Sequence, residues 1–239
     1  MPQVLDSAAD GVDYSVRDGI AIVTLNRPPA NAFSAGMYRA LTRVADHIAN
    51  DESVRVAILT AASPKIFCGG ADVKELRDLD DAGRVAFSHA SETAARRFTE
   101  IPVPVIAAIT GTCAGAGVAY IARCDYRISA DHAKFTLPEI NLGFVLEGGR
   151  NLIAVGVPSG ALRMMLFSGR AYSADEVRAM HLVDEVVPVD HVMEVAFAHA
   201  GVLGAKTREA LVTMKRAINR MSYLPEWTDD VEGTAATAI

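Results

Sequence analysis

Two strand-to-helix junctions carry residues that could put backbone groups to chemical use. They are "FCGGADVKE", Phe67 to Glu75, and "GTCAGAGVAY", Gly111 to Tyr120. Glycine and alanine let another group approach the backbone closely. The first N–H groups of a helix lack internal partners and lie at the positive end of its dipole. Two such junctions brought together supply two donors for one oxygen, the arrangement that stabilises an enolate or a tetrahedral anion. One junction alone reads as tight packing. A dinucleotide fingerprint fails here, because Gly115-x-Gly117-x-x-Tyr120 lacks the third small residue and no suitable acid follows about 20 residues on. A phosphate loop fails too, because no Gly-Lys-Ser/Thr follows.

Other chemistries have less support. Cys68, Cys113 and Cys124 form no C-x-x-C pair, so a disulfide framework or zinc site is not expected. Cys68 and Cys113, inside the two junctions, read as small apolar fillers. The six histidines are scattered without metal-ligand spacing, so no metal is expected. A net charge of −6 and the lack of a basic run argue against nucleic acid. A small anionic ligand needs only a few local cations. The polar, acidic start "MPQVLDSAADGVDY" does not read as a signal peptide, and no run approaches the ~20 apolar residues of a spanning helix. A cytoplasmic protein is expected, with no membrane partner.

The elements that must hold these junctions follow from periodicity. Strands are predicted over Ile20 to Leu25, Val54 to Thr60 and Val103 to Thr110, with short ones at "YRISA" and "AKFTL". Met37, Leu41, Val44 and Ile48 fall at helical spacing, as do Phe87, Ala90, Ala94 and Phe98. "SADE", Ser173 to Glu176, is a capping box. Helices follow near Val189 to Leu203 and Thr207 to Ser222, the last with an apolar face of Leu211, Met214, Ile218 and Met221. Strands alternating with helices, then helices alone, predict an α/β architecture with a helical C-terminal part.

Four linked segments carry a resemblance: "VTLNRPPANAFS", "FCGGADVKEL", "PVPVIAAITGTCAGAGVAYIARCDYRISADHAKFTLPEINLG" and "GRAYSADEVRAMHLVDEVVP". In this order they resemble the crotonase superfamily, the enoyl-CoA hydratase/isomerase family, from about Ile20 to about Pro188. The resemblance implies a crotonase-like spiral of ββα turns. It implies a single domain over 1–239, with a spiral core to about 188 and a helical part over about 189–239. It further implies a homotrimer or dimer of trimers, an acyl-CoA thioester substrate and no separate cofactor. The thioester oxygen would accept from the N–H groups of Ala71 and Ala116, the latter at a place where the family usually has glycine. Arg27, Ala30, Ala32, Gly69, Ala71, Asp72, Val73, Lys74, Ala116, Ala119 and Pro138 would surround the substrate. Arg27 and Lys74 could meet the CoA phosphates or be solvated charges. Asp72 reads as a helix cap. Tyr120 is expected in the core or at an interface.

Hydratases of this family use two glutamates. Glu139, in "LPEINLG", matches one. Ala119 stands where the other belongs, and alanine cannot move a proton. Glu147 lies eight residues after Glu139, where dienoyl-CoA isomerases carry an acid. Two carboxylates facing one pocket would separate into a base and an acid. Glu147 could instead be a helix-start carboxylate beside Arg150. The expectation is double-bond isomerisation with Glu139 as base. The alternatives are hydration by Glu139 with a differently held water, and an acyl-CoA-binding protein without turnover.

Overall fold

The computed structural model describes residues 10–142, 152 and 156–221. An antiparallel hairpin, β1 (Val12–Arg17) and β2 (Ile20–Leu25), leads into α1 (Ala35–Asn50). A pattern then repeats three times: one strand, a second short strand, a helix. The first turn is β3 (Val56–Ala61), β4 (Ile66–Cys68) and the pair α2 (Val73–Asp78) and α3 (Asp81–Thr99). The second is β5 (Val105–Ile109), β6 (Thr112–Ala114) and α4 (Ala116–Ile121). The third is β7 (Tyr126–Ala130), β8 (Lys134–Thr136) and α5 (Glu139–Leu142). Next come α6 (Ser159–Ser168), β9 (Tyr172–Ser173), α7 (Ala174–Ala179) and β10 (Glu185–Val187). A 3-10 turn (Val189–His191) precedes α8 (Val192–Gly204) and α9 (Arg208–Met221).

The first strand of each turn joins one sheet, in the order β1-β2-β3-β5-β7-β10. The second joins another, in the order β4-β6-β8-β9. This is the expected spiral of ββα turns with helices at the C-terminal end. The middle strands of the large sheet are parallel and buried along their whole length, so "VAILTA" and "VIAAI" are apolar runs rather than alternating ones. The hydroxyl of Thr60, buried in β3, donates to the Ala108 carbonyl at 3.0 Å. Ser34 caps α1 by accepting the Met37 N–H, and Met37, Leu41, Val44 and Ile48 turn inward as their spacing predicts. Ser173 and Glu176 form the predicted capping box.

Two expectations need correction. The stretch read only as a polar start runs into the first half of β1. Val12 and Tyr14 face the core while Asp13 and Ser15 are the intervening positions of an edge strand. The apolar face predicted for the last helix is not the one it buries. Leu211 is buried, but Met214 is 61% exposed and Ile218 47% exposed, while Lys215 is only 7% exposed. The Lys215 ammonium explains this orientation. It donates to the Val103 carbonyl at 3.0 Å and to Asp125 at 2.7 Å, and Asp125 also accepts the Val105 N–H. The lysine thus docks α9 onto the start of β5. Met221's side chain lies outside the described residues.

Helix α4 sits directly on the ends of β4 and β6. A Cβ on Gly117 would lie 2.7 Å from the Cys68 Cβ and 3.1 Å from the Cys113 Sγ. Gly117→Ala is therefore expected to destabilise the protein by about 1–3 kcal/mol, read from urea unfolding midpoints. Wild-type stability would show that α4 is not in such close contact.

Candidate active site

The two glycine junctions meet. After β4, Gly70 takes a φ of +95°, and Ala71 forms an isolated parallel bridge with Phe33. The Phe33 N–H donates to the Gly70 carbonyl at 2.7 Å, and the Asp72 N–H donates to the Phe33 carbonyl at 2.9 Å. The residue between two such bonds directs its own N–H to the opposite side. The Ala71 N–H therefore points away from Phe33. After β6, Gly115 takes a φ of +49° and donates its N–H to the Thr136 carbonyl at 2.9 Å. Ala116 opens α4, so its N–H has no partner within the helix. Neither the Ala71 nor the Ala116 N–H is bonded to an acceptor among the described residues. A Cβ on Gly70 would lie 3.3 Å from the Ala114 oxygen and 3.8 Å from the Ala116 nitrogen. A Cβ on Gly115 would lie 3.6 Å from the Gly70 Cα. The turns touch backbone to backbone, with no side chain between them.

Glu139 faces this contact. It is the first residue of α5, and its Oε1 lies 3.1 Å from where a Gly115 Cβ would be. Its Oε2 is buried and without a hydrogen-bond partner among the described residues. Burial raises the Glu139 pKa above the ordinary carboxylate value, and a bond from its own backbone N–H offsets part of that rise. A carboxylate in this setting is a stronger base than one in water. Ala119 lies one turn along α4 from Ala116, so both project from the same side of the helix. It is buried, and its methyl leaves that place without an acid. Glu147 lies outside the described residues.

The expected substrate-binding residues interlock. Gly69 donates its N–H to the Ala30 carbonyl at 2.8 Å, and a Cβ on Gly69 would meet that oxygen at 3.0 Å. Arg27 is partly exposed and already engaged by neighbours. It pairs with Asp72 at 2.8 Å and donates to the Ala32 carbonyl at 2.9 Å. Asp72 also accepts the Lys74 and Glu75 N–H groups, as a cap should, and these bonds with Arg27 hold its carboxyl below the ordinary value against the opposing effect of burial. Val73 and Pro138 are half-buried, and Lys74 is exposed.

Sequence reasoning missed Asn31. It is buried with φ +49° and accepts the Arg27 N–H at 2.7 Å. Its amide donates to the Ile66 and Phe67 carbonyls at 3.2 Å each, tying the first loop to β4. An asparagine just after Pro-Pro was the available signal, since asparagine tolerates left-handed backbone.

Cys68 and Cys113 are buried fillers. Burial pushes the Cys68 thiol up to about 12 and Cys113 well above its ordinary value. Tyr120 packs in the core against Phe33, Tyr38 and Phe98. No group of three or more metal-ligating side chains is close enough to hold an ion among the described residues.

The arrangement can polarise a carbonyl between two N–H groups while a desolvated carboxylate takes a proton beside it. It has a stability cost. The raised pKa means that unfolding releases a proton above the unfolded glutamate pKa of about 4.3. Glu139 therefore destabilises the fold as pH rises through the window between its unfolded and folded pKa values. Glu139→Gln is expected to raise Tm at about pH 7 and to lose that advantage below about pH 4, where both forms are uncharged. A lower Tm for the variant at neutral pH would contradict the burial assigned to this carboxylate.

The sequence and the fold are similar to those of known proteins. The family model described as enoyl-CoA hydratase/isomerase matches residues 15–232. A short-chain-enoyl-CoA hydratase of Clostridium acetobutylicum is 32% identical over 203 residues, covering 84% of this chain and 78% of that protein. A probable enoyl-CoA hydratase of Mycobacterium avium is 35% identical over 215 residues, covering 89% and 83%. The crystal structure of an enoyl-CoA hydratase/carnithine racemase from Magnetospirillum magneticum superposes with a TM-score of 0.84 at 33% identity, covering 88% and 80%. This chain belongs to the enoyl-CoA hydratase/isomerase family of the crotonase superfamily, and it is an enzyme of that family.

Proposed function

We propose that this enzyme moves a carbon–carbon double bond in an enoyl-CoA thioester. The observation that carries this reading is that, among the described residues, Glu139 is the acid placed at the paired glycine turns. Glu139 is there, desolvated and with one oxygen unpartnered among the described residues, and Ala119 occupies the neighbouring place on α4. The thioester oxygen of a 3-enoyl substrate sits between the Ala71 and Ala116 N–H groups. The Glu139 carboxylate removes a proton from the carbon next to the carbonyl. The C–H electrons form a new double bond to the carbonyl carbon, and the carbonyl pair moves onto oxygen as a dienolate. The two N–H groups stabilise that charge. The chain then takes a proton at the far end of the original double bond, and the product is the conjugated 2-enoyl thioester. Protonated Glu139 can return the proton itself, and Glu147 is the candidate second acid.

Addition of water makes a heavier demand, because a nucleophile must be both held and deprotonated. Glu139 with the Ala119 methyl, where hydratases of the family place their other glutamate, is poorly equipped for that. Hydration by Glu139 alone is the second reading, favoured by the hydratase names of the relatives. In either case Ala30, Ala32, Gly69, Asp72, Val73 and Pro138 line the substrate, with exposed Lys74 the better placed cation for the CoA phosphates. Assembly as a homotrimer or dimer of trimers, in the cytoplasm, goes with this reading. Exposed Met214 and Ile218 on α9, and Met164 and Phe167 on α6, suit burial between subunits.

Assays on 3-enoyl- and 2-enoyl-CoA substrates separate the readings. Isomerisation is expected to dominate in the wild type. Ala119→Glu, which places a second carboxylate one turn after Ala116, is expected to raise hydration by about a hundredfold. Wild-type turnover that is confined to water addition would contradict the proposal.

A further inference from the structure

The stretch "GRAYSADE", Gly169 to Glu176, touches no part of the proposed chemistry, yet it grips the segment that bears Glu139. Gly169 caps α6 with φ +55°. Its carbonyl accepts two side-chain donors, the Thr136 hydroxyl at 3.3 Å and the Asn141 amide at 3.4 Å. These residues bracket the base, three positions before Glu139 and two after it. The bare α-carbon of Gly169 is seated on the same segment. A Cβ there would lie 2.5 Å from the Asn141 amide nitrogen and 3.1 Å from the Ile140 Cγ2.

The rest of the stretch fixes Gly169. Tyr172 and Ser173 pair antiparallel with Phe135 and Lys134, the residues leading into Thr136. The Arg170 guanidinium lies 3.5 Å from the centre of the Tyr172 ring and pairs with Glu176 at 2.8 Å. Glu176 in turn accepts the Ser173 N–H at 2.8 Å, and the Ser173 hydroxyl accepts the Glu176 N–H. Thr136 reaches both halves of the site. Its hydroxyl donates to Gly169, and its carbonyl accepts the Gly115 N–H beside the Ala116 donor.

We infer that Gly169 to Glu176 is a positioning frame for the base. Gly169 holds Thr136 and Asn141, and thereby sets where the Glu139 carboxylate stands relative to the Ala116 N–H. This inference rests on Glu139 being the base. The bonds at 3.3 and 3.4 Å are long, so losing either leaves the fold intact. Their effect is on placement, and a shift of about 1 Å in a reacting group costs up to about a hundredfold in rate.

The test uses the full-length enzyme. The double variant Thr136→Val/Asn141→Ala removes both donors, and is expected to lose about tenfold or more in kcat. KM should stay within about twofold, because the groups that bind the substrate are untouched. Thr136→Ser in the Asn141→Ala background keeps the hydroxyl and should recover most of that loss. Gly169→Ala should show the same fall in kcat, and if it fails to fold the double variant carries the test. A crystal structure of the double variant should show the Glu139 carboxylate displaced from Gly115 while Ala116 stays in place. Wild-type kcat, a change confined to KM, or an unmoved carboxylate would overturn the inference. Glu139→Gln, assayed alongside, separates the two claims. If it keeps its turnover the base assignment fails, while the crystallographic comparison still decides whether the frame positions residue 139.

Discussion

Everything at this site depends on two loops touching through bare backbone. Gly70 and Gly115 both adopt positive φ values; a side chain on Gly70 would crowd the Ala114 carbonyl, and one on Gly115 would crowd the Glu139 carboxylate. L-residues with side chains rarely take such angles, so glycine is needed for conformation as well as for space. The contact is possible because β4 and β6 are adjacent parallel strands, with Cys68 opposite Cys113. Their ends lie side by side, and the chains leave them together. Gly117 then lets α4 settle directly on those strands. The two N–H groups, unpartnered among the described residues, are thus a product of strand order and missing side chains. No polar side chain is needed to make them.

The same closeness explains the behaviour of the acid. Glu139 enters over Gly115 because nothing projects from that residue. The space is dry enough to raise its pKa. A group placed in this way stores free energy, since a buried carboxylate with one oxygen unpartnered among the described residues opposes folding. The core under α4 can bear that cost. Phe33, Tyr38, Phe98 and Tyr120 are all buried there in edge-on and tilted contacts. Tyr120, next in sequence to Ala119, belongs wholly to this cluster, so the helix presents aromatic packing on one side and a small-residue surface on the other.

Local pattern made most of the fold legible. β2 occupies Ile20–Leu25 as its β-branched run implies, and the Ser173–Glu176 capping box is where its spacing puts it. The glycine-rich turns marked the two junctions, and the family resemblance named Ala71 and Ala116 in them as the candidate donors. What the sequence did not reveal depends on contacts between distant residues. β1 hides its apolar residues among polar ones because it is an edge strand. The orientation of α9 depends on Lys215 finding Asp125, 90 residues away. Arg27 looked available because its partner Asp72 is 45 positions along the chain, brought close by the Phe33–Ala71 bridge. Asn31 was overlooked for the same reason, as its acceptors lie on β4.

The central claim is that two backbone donors and one carboxylate share a single thioester. A crystal structure with a bound, slowly reacting 3-enoyl-CoA analogue tests it most directly. The account predicts the thioester oxygen within about 3 Å of both the Ala71 and the Ala116 nitrogens. It also predicts a Glu139 oxygen about 3–3.5 Å from the carbon next to the carbonyl, with no ordered water held between two carboxylates. A thioester oxygen bound away from either nitrogen, or a Glu139 carboxylate turned out of reach of that carbon, would contradict it.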